Sequence, residues 1–167
     1  MDLMDYSLTA DVDTEYAKLF ATQTPFTRSG VEFTNGDSEN LDAFRQRGGK
    51  LIIFHGAADL AFSIHDVAAY YDRLRARYGD AQTADTARAF FVPGMAHCAG
   101  GNATDQFDAV GAVIGWVEAG RAPDVLIATA GAGTDWPGRT RPLCPYPQEA
   151  VYKGSGSLED AENFACR

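Results

Sequence analysis

"KLIIFHG", residues 50–56, decides the fold class. Leu51, Ile52, Ile53 and Phe54 follow one another without a polar interruption, and Gly49 and Gly56 bound the run. A strand with one face in water alternates apolar and polar residues. A short unbroken run reads instead as a strand buried on both faces, as in a parallel sheet. "ARAFFVPG", residues 87–94, is a second strand of the same kind. Between the two, "SIHDVAAYYDRLRARYG" (63–79) sets Ile64, Val67, Ala68, Tyr71, Leu74 and Tyr78 on one helical stripe. Ser63 is its N-cap, Asp66 stands at the third helical position, and Gly79 is the stop. After the second strand and a glycine-rich loop, "TDQFDAVGAVIGWVEAG" (104–120) predicts another helix. Asp105 is its expected cap, with Asp108 at the third position. Phe107, Val110, Val113, Ile114 and Val117 are its expected inward face, with Trp116 partly buried. Strand, helix, strand, helix is a right-handed parallel βαβα unit, so the fold class is α/β.

The flanks are less regular. Residues 1–40 form an N-terminal segment of undefined structure, in which "DTEYAKLFA" can make a short helix with Tyr16, Leu19 and Phe20 on one face. "FTNGDSENLDAFRQRGG" (33–49) reads as a loop and then a helical turn, with Leu41 and Phe44 inward and Gly48 and Gly49 ending it. "DVLIATA" (124–130) is a short strand, and the remainder to Arg167 is turn-rich, with short strands expected around Arg141 and Val151.

Composition narrows the function classes. The 167 residues are 46% hydrophobic and 22% charged, as expected of one soluble globular domain. A net charge of -9 argues against a nucleic-acid partner, which needs a basic footprint. Asp2, Asp5, Asp11, Asp13, Glu15, Glu32, Asp37 and Glu39 crowd the first 40 residues and read as a solvated acidic segment. No run approaches the ~18 apolar residues of a membrane span, so no membrane partner is expected. The N-terminus lacks the apolar core of a signal peptide. Of the three cysteines, Cys144 and Cys166 lie in turn-rich surroundings where a bridge would tie down the C-terminal tail. Two reduced thiols in a cytosolic protein are the alternative. Cys98 is then left over, and an odd cysteine asks for a partner outside this chain.

In open parallel sheets, ligands bind beyond the carboxyl ends of the strands. Asp59 sits just after the first strand and His97 just after the second, in "FFVPGMAHCAGG" (90–101). An acid followed by a histidine at successive strand ends is the latter half of an α/β-hydrolase triad, in which the order is Ser, Asp, His. The chemistry needs this pair: a serine hydroxyl is a weak nucleophile until an imidazole takes its proton, and a carboxylate on the other ring nitrogen holds that imidazole in the right tautomer. His55 is expected to be a buried, hydrogen-bonded structural histidine and His65 an exposed one without a role. His55, Asp59, His97 and Cys98 are metal-ligand types, but their spacing matches no zinc pattern and no metal site is expected. Phe62, three residues after Asp59, faces the presumed cleft and is a candidate contact for an aromatic acyl group.

"GGKLIIFHGAAD", "FFVPGMAHCAGG", "DQFDAVGAVIGWVEAGRAPD", "RTRPLCPYPQEAVYKGSG" and "NFAC" together resemble the tannase/feruloyl esterase family of α/β-hydrolases, in order and with sensible spacing from Leu41 to Arg167. Residues 41–167 then correspond to the C-terminal part of the catalytic domain. The resemblance implies that Asp59 is the triad acid and His97 the general base. It implies that Cys98 is bonded to a cysteine directly before the nucleophilic serine, and that Cys144 and Cys166 form a second disulfide. It further implies a small aromatic ester as substrate, a secreted or periplasmic location and a calcium site in a lid. That lid, like the nucleophile and the oxyanion hole, belongs to a region of the family upstream of the part matched, so no cofactor is expected in this chain.

The departure is as informative. These 167 residues contain no Gly-x-Ser-x-Gly and no Cys-Ser pair. The chain is therefore expected to be the C-terminal portion of a longer serine hydrolase, inactive alone. The alternative is a non-catalytic binding or structural module on a hydrolase scaffold, dimerising through an exposed sheet edge. Cys98 as nucleophile is weaker still, because adjacent side chains are expected to point to opposite sides of the chain and the activating histidine is normally distant in sequence.

Overall fold

The computed structural model describes residues 2–167, which divide into two compact units, the first ending at Ser38 and the second running from Glu39 to Arg167. The first unit is three short helices, α1 (Leu3–Thr9), α2 (Val12–Leu19) and α3 (Gly30–Thr34). Its acidic residues do more than solvate a segment. Asp2 caps α1 by accepting the Met4 N–H, and Asp11 caps α2 by accepting the Thr14 N–H. Ser29 and Glu32 form a reciprocal capping box on α3. Asp5, Asp13, Glu15 and Glu32 fall in first turns, where the helix dipole favours negative charge. Tyr16, Leu19 and Phe20 remain exposed, with Tyr16 and Phe20 edge to face.

The second unit opens with α4 (Asp42–Gln46), whose preceding residue Leu41 donates its N–H to the Tyr78 hydroxyl; that hydroxyl in turn donates to Asp42. β1 (Leu51–Gly56), α5 (Ile64–Tyr78), α6 (Asp80–Thr86), β2 (Ala87–Val92) and α7 (Ala109–Ala119) follow. β1 and β2 pair in parallel, from Leu51 opposite Ala87 to Gly56 opposite Val92. Ser63 caps α5 and Gly79 ends it at φ +81, as the sequence predicts. The short polar helix α6 has no counterpart in the sequence reading; its Thr83 hydroxyl donates to the Leu74 carbonyl and its residues Thr83 and Thr86 are buried.

The pleat sends alternate side chains to two cores. Tyr71 and Leu74 of α5 pack on Ala87 and Ala89 of β2, with Leu51 and Ile53 of β1 alongside. Phe90, Val92, Met95, Leu126, Ala128 and Leu143 make the other core, with Ile52, Phe107 and Ala112 against it. β2 is the deeply buried strand. β1 is only half-buried and its Phe54 is exposed, in contrast to the expectation of burial on both faces. The reason is that, among the described strands, β1 pairs with β2 alone.

α7 departs from expectation in two ways. Its N-cap is Asp108, which accepts the Gly111 N–H, and not Asp105. Gln106 bridges Thr129 through N–H···O bonds of 3.1 and 2.8 Å, which keeps the chain extended until Asp108. The inward face also turns: Trp116 is fully buried, whereas Val110, Ile114 and Val117 form an exposed apolar row.

β3 (Leu126–Thr129) and β4 (Thr140–Leu143) pair antiparallel, as do β5 (Ala150–Tyr152) and β6 (Phe164–Cys166), the last preceded by a 3-10 turn, Ala161–Asn163. The Tyr146 N–H donates to the Ala89 carbonyl, joining the C-terminal segment to β2. A disulfide links Cys144, just past β4, to Cys166 in β6. Arg139 holds Glu159 through two bonds of 2.5 and 2.7 Å.

The disulfide closes a loop across a separation of 22 residues. In the chain-entropy treatment this restricts the unfolded chain by about 3 kcal/mol. Cys144→Ser is expected to lower unfolding stability by that order in urea titration; a loss below about 1 kcal/mol would mean that the turns hold the tail without the bond.

Candidate functional site

The carboxyl ends of β1 and β2 come together because the chain at Gly56 lies directly against the backbone of Met95 and Ala96. A Cβ at Gly56 would collide with the carbonyl oxygens of both. Past the strands the ladder continues into the loops: the Ala57 N–H donates to the Val92 carbonyl and the Ala58 N–H to the Met95 carbonyl. Two loops are thereby fixed side by side, one carrying Asp59 and the other His97.

Asp59 is held from three directions. Oδ1 accepts the N–H groups of Ala61 (2.7 Å) and Phe62 (3.1 Å). Oδ2 lies 2.8 Å from His97 Nδ1 and 3.7 Å from His55 Nε2. The Asp59 side chain is 2% exposed and that of His97 is 55% exposed. The hydrogen bond from His97 draws the Asp59 pKa down to about 2, against an opposing push from burial; the Ala61 and Phe62 N–H groups add to the lowering. An ionised carboxylate only accepts, so the bond runs from an Nδ1–H of His97 to Asp59 Oδ2, and Nε2 is the ring nitrogen left for another partner.

The surroundings are equally defined. His55 Nε2 donates to the Phe62 carbonyl at 3.1 Å, shaping the Asp59 loop from beneath in the structural role expected of it. The Phe62 ring is exposed, and its centre lies 5.3 Å from that of the His97 ring. The loop after His97 is pinned by Asp105, whose Oδ2 accepts the Gly100 N–H at 2.7 Å. Asp105 was expected as a helix cap; its actual contact joins residues brought together only by the loop's return. Cys98 does not point away from His97. It is the one non-glycine residue at positive φ (59°) among those described, and this brings its Sγ within 3.9 Å of His97 Nε2. His97, Asp59, Phe62 and Cys98 therefore gather at one sheet end, whereas Cys144 and Cys166 are bonded to each other in the C-terminal segment. Among the described residues, no three His, Cys, Asp or Glu side chains gather as metal ligands do. No helix among them is long and apolar enough to cross a membrane.

Asp59 and His97 thus form a hydrogen-bonded acid–histidine pair at the ends of neighbouring parallel strands, and the sequence matches the profile described as tannase and feruloyl esterase over residues 5–167. The chain belongs to the tannase and feruloyl esterase family. It is 49% identical over 162 residues to the mono(2-hydroxyethyl) terephthalate hydrolase of Piscinibacter sakaiensis, covering 93% of this chain and 26% of that protein. It is 28% identical over 168 residues to feruloyl esterase B of Aspergillus niger, covering 91% of this chain and 31% of that one. The crystal structure of feruloyl esterase B from Aspergillus oryzae superposes with a TM-score of 0.68 at 26% identity, over 78% of this chain and 29% of that one. The α/β-hydrolase class of the fold follows from these matches. This chain spans between about a quarter and a third of the length of each of these family members.

Because the folded Asp59 pKa lies below the unfolded 3.8, the hydrogen bonds to its carboxylate contribute stability that is fully present above about pH 4 and is lost as pH falls through about 2. A carboxyl carbon NMR titration is expected to give a midpoint near 2 for Asp59, rising in His97→Ala. A midpoint near 3.8 in the unmodified chain would show that the hydrogen bond does not persist in solution.

Proposed function

We propose that this chain supplies the acid and base of a carboxylic ester hydrolase whose nucleophilic serine belongs to the longer protein. The observation that carries the reading is the 2.8 Å bond from His97 Nδ1 to the buried carboxylate of Asp59, with the imidazole itself 55% exposed. In that arrangement Nε2 accepts the serine proton as the oxygen attacks the acyl carbon, and returns it to the departing alkoxide. In the second half it takes a proton from the water that attacks the acyl-enzyme and hands it to the departing serine oxygen, which releases the acid and restores the neutral imidazole. Asp59 keeps the ring in the required tautomer and stabilises the imidazolium.

Family membership and the names of the similar proteins support an aromatic acyl ester as substrate, with Phe62 as a flat wall beside the imidazole. Cys98, exposed and next to Nε2, is suited to a disulfide that ties the base loop to the nucleophile segment. The Cys144–Cys166 bond supports an extracytosolic location, secreted or periplasmic, because structural disulfides persist in oxidising compartments. With no Gly-x-Ser-x-Gly in its sequence, the chain alone is expected to turn over no ester.

A second reading, a non-catalytic module that dimerises, rests on the unpaired outer edge of β1 among the described strands and the exposed row Val110, Ile114 and Val117. Light scattering separates the two, since a monodisperse monomer removes it.

In the protein that also carries the serine, His97→Ala is expected to lower kcat for an aryl ester by about 10⁴-fold, with Asp59→Asn falling by a similar order through the wrong tautomer. Retention of turnover in His97→Ala would remove His97 as the base. Steady, His97-dependent turnover by the 167-residue chain itself would remove the requirement for an outside serine.

A further inference from the structure

We propose that a second cavity, walled by β2, β4 and the disulfide-tied C-terminal segment, binds a small planar aromatic carboxylate, with Arg141 as the partner of the anion. The cavity measures about 570 Å³, within the range of small-molecule sites, and none of Asp59, Phe62 or His97 lines it. Its walls include four aromatic rings, those of Phe91, Trp136, Tyr146 and Phe164. Such walls favour a flat apolar body over a flexible or sugar-like one.

Two arginines line the same space, and they differ in what occupies them. Arg139 lies 4.0 Å above the Trp136 ring and gives both its bonds to Glu159, so its charge is neutralised within the fold. Arg141 is half-buried, its guanidinium lies 4.5 Å over the Phe164 ring, and its one hydrogen bond goes to the Thr140 carbonyl at 2.7 Å. Among the described residues no carboxylate comes within ion-pair distance of it. Burial first, and the neighbouring charge of Arg139 second, draw its pKa below the ordinary value, with the more distant charge of Glu159 opposing them.

A guanidinium stays charged under such conditions and presents a planar fork that matches a carboxylate. Its stacking on Phe164 holds the fork in one plane in advance of binding. Glu149 is the only acidic side chain in the lining, and it opposes an anion. The fit is therefore to a ligand with a single negative charge on a flat ring. The inference is independent of whether the chain takes part in ester hydrolysis.

The test titrates the 167-residue chain with trans-cinnamate and, as the uncharged counterpart, cinnamamide, followed by tryptophan fluorescence and by amide and indole NMR shifts. Cinnamate is expected to saturate, with cinnamamide at least about tenfold weaker, which corresponds to 1.4 kcal/mol. Shifts should concentrate at Trp136 and around Arg141. Arg141→Met should weaken cinnamate by about tenfold, Arg141→Lys by less, and Glu149→Gln should tighten it severalfold. Should Arg141→Met fail to fold, the comparison of acid with amide and the Glu149→Gln variant carry the decision. The proposal is overturned by equal binding of acid and amide, by shifts centred on Phe62 and His97, by indifference to Glu149→Gln, or by no saturation at about 10 mM.

Discussion

The close approach of two backbones at Gly56 underlies the rest of this structure. β1 and β2 run parallel, so their carboxyl ends lie at the same edge, and the loops that leave them meet there. Only a residue without a Cβ lets the first loop rest on the Met95 and Ala96 carbonyls. From that contact follow the two loop hydrogen bonds of Ala57 and Ala58, and from those the placement of Asp59 within reach of His97. Two side chains separated by 38 residues thus become a pair through backbone geometry before any side-chain attraction acts.

The pair itself divides its labour by burial. Asp59 is enclosed and takes two N–H groups on one oxygen, leaving the other for His97. His97 is half in solvent, free to exchange a proton with something that arrives. His55 and Asp105 serve as the props of the two loops, one under the Asp59 turn and one behind the glycine turn. This division suits a base that must change protonation state while its orienting carboxylate does not.

The C-terminal segment is more than a tail. It joins β2 through Tyr146, is bonded to itself through Cys144 and Cys166, and encloses the aromatic cavity that holds Arg141. The outer edge of β1 and the apolar row of α7 are open among the described residues. An unpaired strand edge and a row of exposed apolar side chains are each surfaces that further sheet or a second chain would cover.

The sequence by itself determined the βαβα unit, because unbroken apolar runs and a 3.6-residue stripe are local signals with few competing readings. It also placed Asp59 and His97 at strand ends, since position after a strand is written in order along the chain. It misjudged β1 as fully buried and α7 as facing inward along Val110, Ile114 and Val117, because periodicity identifies an apolar face without saying what covers it. It missed α6, whose polar residues have no stripe, and it assigned Asp105 to a cap because local pattern cannot see the return of the Gly100 loop. Whether Cys98 pointed toward His97 depended on one backbone angle, which no residue type announces. The place of Arg141 outside any ion pair among the described residues and the cavity around it arise from segments distant in sequence. Only tertiary packing could decide them, because charge balance and enclosed space are properties of neighbours in space and not along the chain.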